Sequence, residues 1–146
     1  MRYKDYKKGI AYRFRASAYG IVINEDDEVA LILLNGGYYL PGGGIDDKES
    51  PHEALKREWL EETGYEIDVK QWICDESLYI FRNGMERCYY GKFYLATLTG
   101  ARGKKIEDDH ELVWVKISKA LEILTLPHQK DGLEGAVLAY SKSQRV

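Results

Sequence analysis

Apolar residues alternate with polar ones through most of this chain, and the alternation gives way to a helical period in only a few places. Residues 12–23 (YRFRASAYGIVI) are rich in aromatic and β-branched side chains and predict one or two strands. A polar turn at 24–27 leads into VALILL, residues 29–34, whose unbroken apolar character predicts a strand buried on both faces. Asn35, Gly36 and Gly37 predict a hairpin turn before a short strand at 38–40. Pro41 and the three glycines at 42–44 predict an end to regular structure. Residues 65–81 and 87–99 alternate as two further strands, joined by a turn at Arg82, Asn83 and Gly84. A polar loop is expected at 100–109, a strand at 112–117, a short helix at 118–124 and a final helix at about 129–141.

The clearest helix lies between these strands. Ser50, Pro51 and Glu53 have the order of a capping box, with serine as cap, proline in the first helical position and glutamate reaching back. The helix is expected to run to about Thr63, with Gly64 as its left-handed stop. Strands on both sides of one central helix, followed by a C-terminal helix, predict an α/β fold in which helices sandwich a mixed sheet.

Length and charge narrow the function. At 146 residues, 45% apolar and 31% charged, the chain has the profile of a single ordered domain, residues 1–146. Its 21 basic and 24 acidic residues leave a net charge of −3, which argues against a nucleic-acid partner held by bulk charge. The apolar run at 29–34 is far short of the roughly 20 residues that cross a bilayer, and no apolar stretch follows the basic start MRYKDYKKGI. Cys74 and Cys88 match no metal motif and are expected as free thiols. A cytoplasmic protein without a membrane partner is the expectation.

The chemistry is concentrated on the capped helix. Glu58, Glu61 and Glu62 are spaced i, i+3, i+4, which puts their carboxylates within an arc of roughly 100°. They repel one another there, in the last turn, where the helix dipole favours cations. Leu55 and Trp59 beside them are expected in the core. A solvated acidic face is one reading. A bound divalent cation, Mg²⁺ or Mn²⁺ for an all-oxygen donor set, would turn the repulsion into stabilisation.

Wider spacing gives the stripe a context. Gly43, Glu49, Arg57-Glu58, Glu61-Glu62 and Gly64 stand at fixed intervals, with bulky residues at Trp59 and Tyr65. If each fixed type occurs at about the 7% usage of glycine, a chance match is on the order of 10⁻⁸ per start. This pattern, residues 43–65, resembles the Nudix box; the family has aliphatic residues where Trp59 and Tyr65 stand. The resemblance implies the Nudix fold, an α/β/α sandwich with a mixed central sheet. It implies Mg²⁺-dependent hydrolysis of a diphosphate linkage in a nucleoside diphosphate joined to another moiety. Glu58, Glu61 and Glu62 would then be metal ligands, joined by the carbonyl of Gly42, and Arg57 would pair with Glu49 to orient the catalytic face. Which glutamate among them, Glu61 and Glu62 included, takes the proton of the attacking water stays open. So does the acid that the family often adds from a later loop, Glu107 or Glu111 here.

The resemblance implies a small-molecule nucleotide as the partner, with a homodimer common in the family. Aromatic residues near the strands, among them Tyr38, Tyr39, Tyr79, Phe81, Tyr89 and Tyr90, are candidates for packing or for stacking a base. Arg13, Arg15, Arg82 and Arg87 are candidates for phosphate contacts or for an exposed strand edge. Two alternatives remain: a non-catalytic Nudix-fold regulator, and an ADP-ribose pyrophosphatase. The ADP-ribose subgroup carries a proline beyond the box, and this chain has only Pro41, Pro51 and Pro127.

Overall fold

The two alternating stretches after the central helix form one long hairpin, in which β6 (Tyr65–Arg82) runs antiparallel to β7 (Met85–Arg102). The structure, a computed structural model, describes residues 2–143. Only Asn83 and Gly84 make the turn, at φ 52° and 74°, the left-handed pair whose twist matches that of the flanking strands. β7 also runs further than its composition suggests, through Gly100 to Arg102, so the polar loop begins at Gly103.

The hairpin is the middle of a five-stranded mixed sheet. β1 (Arg2–Lys4) adds to β6, a strand that the sequence pattern does not reveal. β2 (Arg13–Ile21) lies parallel to β7, and β5 (Gly42–Gly44) pairs antiparallel with β2, giving the order β1-β6-β7-β2-β5. The glycine segment is therefore a strand and not an end to regular structure. Its backbone bonds to Ser17–Tyr19, a non-local pairing that composition cannot signal. A second sheet, β4-β3-β8, contains β3 (Glu28–Leu34), β4 (Gly37–Tyr39) and β8 (Glu111–Lys116).

Side chains alternate between two cores. Ala18, Ala30, Ile67 and Ala96 face α1 (Pro51–Thr63) and surround its Leu55 and Trp59. Ile21, Val29, Leu31 and Phe93 point the other way, against Ala120 of α2 (Ile117–Ile123) and Leu133 and Ala136 of α3 (Pro127–Ser143). With period-2 alternation and helices on both faces, the architecture is the α/β/α sandwich that the sequence predicts. Among the described residues no helix is long and apolar enough to cross a membrane.

α1 is fixed at both ends and in the middle. The Glu53 amide donates to Ser50 Oγ at 3.1 Å and the Ser50 amide to Glu53 Oε1 at 3.0 Å, completing the capping box. At the far end Gly64, φ 79°, donates its N–H to the Leu60 carbonyl at 2.9 Å. Trp59 is fully buried and donates its indole N–H to the Gly20 carbonyl at 3.3 Å. Burying Leu55 and Trp59 stabilises the docked helix by about 1.5–3 kcal/mol each, so the acidic face is presented by a rigid element. A Cβ at Gly20 would lie 2.7 Å from the indole nitrogen. In urea titrations, Ser50→Ala is expected to lower stability by about 1 kcal/mol and Gly20→Ala by about 1–3 kcal/mol through overpacking. A Gly20→Ala protein as stable as the parent would show that Trp59 is not seated there.

Candidate active site

Arg57, at the middle of α1, gathers the acidic residues. Its Nε and Nη2 hold Glu49 at 2.7 and 2.9 Å in a two-pronged pair, while Nη1 reaches Glu58 Oε1 at 2.9 Å and Glu61 Oε2 at 3.3 Å. Nη2 also donates to the Gly44 carbonyl at 3.2 Å and lies 3.6 Å from Asp46. The guanidinium fork thus ties the loop before the helix, the helix itself and β5 together. Hydrogen bonds from Arg57, then from the Asp46 amide, hold the Glu49 carboxyl down at about 2. Glu49 in turn pushes the Arg57 guanidinium above its ordinary range.

Glu62 is in the opposite situation. Only 6% of it is exposed, and among the described residues it has no guanidinium partner. The Gly42 amide donates to its Oε2 at 3.3 Å. Burial, reinforced by the charges of Glu58, Glu107 and Glu61, pushes its carboxyl up to about 9. Burial likewise raises Glu58 above the usual carboxylate range, outweighing Arg57.

Two backbone segments close around this face. In β5, a Cβ on Gly42 (φ 150°) would lie 2.1 Å from the Ala18 carbonyl oxygen, and one on Gly43 would lie 2.6 Å from the Glu58 carboxyl carbon. Glycine is required where the carboxylates and the neighbouring strand approach this closely. The loop after β7 is strapped to the helix end: Ile106 and Glu107 both donate their N–H groups to the Glu61 carbonyl at 2.9 Å, and Gly103 donates to Gly64. These bonds satisfy terminal carbonyls of α1 and bring Glu107 into the field of Glu58 and Glu62. Of the two later-loop acids, Glu107 is the one at the site. Glu111 lies on β8, exposed and opposite Leu33.

The same loop adds a group that spacing does not reveal. Ligand atoms of Glu107, Asp109 and His110 lie within 4.8 Å of one another, and the Lys105 ammonium donates to the His110 carbonyl. An irregular loop has no period that would unite them, and the run EDDHE was the one available signal. Among the candidate aromatics, Tyr39 and Tyr89 line cavities beside the site, and so does Tyr19, which the sequence did not single out. Tyr79 instead packs with Tyr6 and Tyr12, Tyr90 bonds to Asp75, and Phe81 lies beneath Lys4. One cavity, of about 200 Å³, borders Gly42, Glu62 and His110; another, of about 350 Å³, borders Gly43, Gly44 and Arg15.

Among the described residues the predicted ligands Glu58, Glu61 and Glu62 are not gathered within 4.8 Å of one another as Glu107, Asp109 and His110 are, but their donor chemistry fits a divalent cation. A buried carboxylate raised to about 9 and faced by three further carboxylates is uncompensated, since the nearby guanidinium already serves Glu49, Glu58 and Glu61. Hard oxygen donors of this kind suit Mg²⁺ or Mn²⁺.

Fold and site together define an α/β/α sandwich with a carboxylate face on its central helix. The chain belongs to the NUDIX domain family, whose model matches residues 13–134. A NUDIX hydrolase from Nitrosomonas europaea superposes with a TM-score of 0.75 at 16% identity, over 87% of this chain and 90% of the other. The MutT protein of Methanosarcina mazei Go1 gives a TM-score of 0.67 at 25% identity, over 86% and 94%. An RNA pyrophosphohydrolase from Helicobacter pylori (strain G27) is 42% identical over 64 residues, 40% of this chain. The chain spans about two-fifths (39%) of the length of that curated relative.

The buried carboxylate sets a pH dependence. Its folded value of about 9 lies above the ordinary 4.5, so it favours folding only while protonated. That contribution is complete below about 4.5 and is lost as pH rises to about 9. In EDTA at pH 8, Glu62→Gln is therefore expected to raise Tm by at least about 3 °C, with the gain shrinking towards pH 5. A lowered Tm at pH 8 would mark Glu62 as a structural hydrogen-bonding group.

Proposed function

We propose that this chain is a metal-dependent hydrolase that cleaves a diphosphate linkage in a nucleotide by attack of water on phosphorus. The observation that carries the reading is the buried Glu62 carboxyl, without an ion-pair partner among the described residues, in the field of Glu58 and Glu61 on the same rigid helix and of Glu107 from the following loop. Glu58, Glu61, Glu62 and the Gly42 carbonyl would hold Mg²⁺, with Mn²⁺ as a substitute. When bound, the ion would neutralise phosphate oxygens and lower the pKa of water at the site.

The remaining roles belong to the chain. Arg57 fixes Glu58 and Glu61 in one orientation through Nη1, so their oxygens need no reorganisation when substrate arrives. The proton of the attacking water passes to a carboxylate oxygen of this face. Glu49 spends its charge on Arg57 and acts by positioning it. Tyr19 and Tyr39, which wall both neighbouring cavities, offer ring faces to a base.

Retention of every box carboxylate favours an enzyme over a non-catalytic regulator of the same fold. The named substrates of similar proteins differ, RNA for the Helicobacter pyrophosphohydrolase and ADP-ribose for a Streptococcus suis pyrophosphatase of the same fold. The residues assigned here handle phosphate, so several nucleotides sharing the linkage are expected to be cleaved.

Activity is expected to vanish in EDTA and return with Mg²⁺ or Mn²⁺; undiminished turnover in excess chelator would overturn the proposal. Glu58→Gln and Glu62→Gln are each expected to lower kcat by at least ~10²-fold. Comparison of a nucleoside triphosphate, ADP-ribose and a nucleoside monophosphate by ³¹P NMR should show cleavage of the first two classes alone. Release of phosphate from the monophosphate, with the diphosphates intact, would mean the site has been misread.

A further inference from the structure

The larger cavity, about 350 Å³, lies on the side of β5 away from Glu58. Successive residues of a strand face opposite ways, and here the alternation separates charge. A Cβ on Gly43 would meet the Glu58 carboxylate, whereas one on Gly44 would lie 2.3 Å from Arg15 Nη2. Arg15 is thus laid against the glycine strand, one residue from the carboxylate face. Arg82 lines the same cavity, and Arg13 and Arg87, Cα partners across β2 and β7, continue the basic face along the sheet.

Among the described residues none of these four guanidiniums forms an ion pair. Arg13 and Arg87 donate to the Met85 sulfur instead, at 3.5 and 3.6 Å. Arg15 also borders a surface pocket with Asp46 and Asp47, yet no carboxylate of the described residues pairs with any of the four, so the arginines repel one another and a bound anion would relieve that repulsion.

A second observation points to a ligand independently of charge. His128 lines this cavity, is 2% exposed, and among the described residues finds no hydrogen-bond partner for either Nδ1 or Nε2. Its ring meets only the edges and faces of Tyr19 and Phe93 among its aromatic neighbours. Buried polar atoms in native proteins are nearly always satisfied, so an imidazole on a residue that lines the cavity, with both nitrogens closed off from solvent and neither engaged, lacks a partner that the described residues do not supply. Burial lowers its pKa to about 4, so at neutral pH it offers one N–H and one lone pair.

We propose that Arg15, Arg82 and His128 form an anion subsite that binds a phosphate of the substrate lying outside the diphosphate being hydrolysed. The planar guanidinium forks suit phosphate oxygens, and Gly44 places the subsite next to the carboxylate face. The inference rests on the hydrolase reading for its substrate, and makes Arg15 and Arg82 specificity-determining residues. The extra phosphate has two sources, the tail of a mononucleotide oligophosphate or the next link of a short nucleotide chain.

The test is a binding titration in Mg²⁺ with the α,β-methylene analogue of ADP, the analogue of ATP bridged by methylene at both the α,β and β,γ positions, and a trinucleotide carrying the methylene diphosphate at its 5′ end. ³¹P NMR confirms that each ligand stays intact. The parent protein is expected to bind the ATP analogue or the trinucleotide at least about 10-fold more tightly than the ADP analogue. Whichever gains identifies the source of the phosphate. The Arg15→Ala/Arg82→Ala protein is expected to reduce that preference below about 3-fold, with affinity for the ADP analogue little changed, and the corresponding double lysine protein to retain part of it. Lys119→Ala, an exposed cation on α2, controls for net charge and leaves the preference intact. No preference over the ADP analogue in the parent, no measurable binding of either longer ligand, or a preference that survives loss of both arginines overturns the proposal. No bond is broken in this titration, so its failure is distinguishable from failure of the hydrolase reading, which the chelator and glutamate experiments address.

Discussion

The arrangement depends on one guanidinium. α1 carries three carboxylates in its last two turns, where neighbouring charge and the helix dipole both oppose them, and Arg57 is the cation that engages two of them directly. Its fork is anchored from the other side by Glu49, whose carboxyl is driven down to about 2, and it reaches the Gly44 carbonyl as well. The same group that lowers repulsion on the helix therefore sets the distance between helix and β5. Loss of that fork would release two glutamates and a strand together, which a lysine, with a point charge, could not hold in the same way.

Compensation by Arg57 is deliberately incomplete in its geometry. Glu62, one residue beyond the reach of the fork, is buried with a backbone amide as its hydrogen-bond donor. A structure optimised for stability alone would place an apolar or amide side chain there, since an ionised buried carboxylate costs free energy at neutral pH. Retaining an ionisable group there makes sense where a cation supplies the missing term, and the loop strapped to the Glu61 carbonyl adds Glu107 to the same field.

Much of this was legible in the sequence because the signals are local. The capping box, Gly64 and the i, i+3, i+4 glutamates all act within one helix, and the spacing of Glu49 to Arg57 survives as a two-pronged ion pair. The α/β/α order was readable from the alternation of periods. What stayed hidden depends on partners distant in sequence. Residues 42–44 have no side chains from which strand character can be read, and they form one only because β2 offers its backbone. Glu107 and Glu111 are equivalent on paper; hydrogen bonds to a helix terminus choose between them. Tyr79 and Tyr89 are equally aromatic, yet they project from β strands whose pairing sends one to a tyrosine cluster and the other to a cavity.

The short glycine strand gives these facts a common explanation. Gly42 needs φ 150° and lies close to the Ala18 carbonyl, Gly43 admits the Glu58 carboxylate, and Gly44 admits the Arg15 guanidinium. Any side chain at these positions would displace a charged group or the neighbouring strand, so composition here is set by what approaches from either side. Because strand residues alternate in direction, three consecutive glycines let a negative surface and a positive one come within a single backbone thickness. A substrate with phosphates on both sides of its scissile linkage is the kind of molecule that such a partition could hold, with a cation on the glutamate side and arginines on the other.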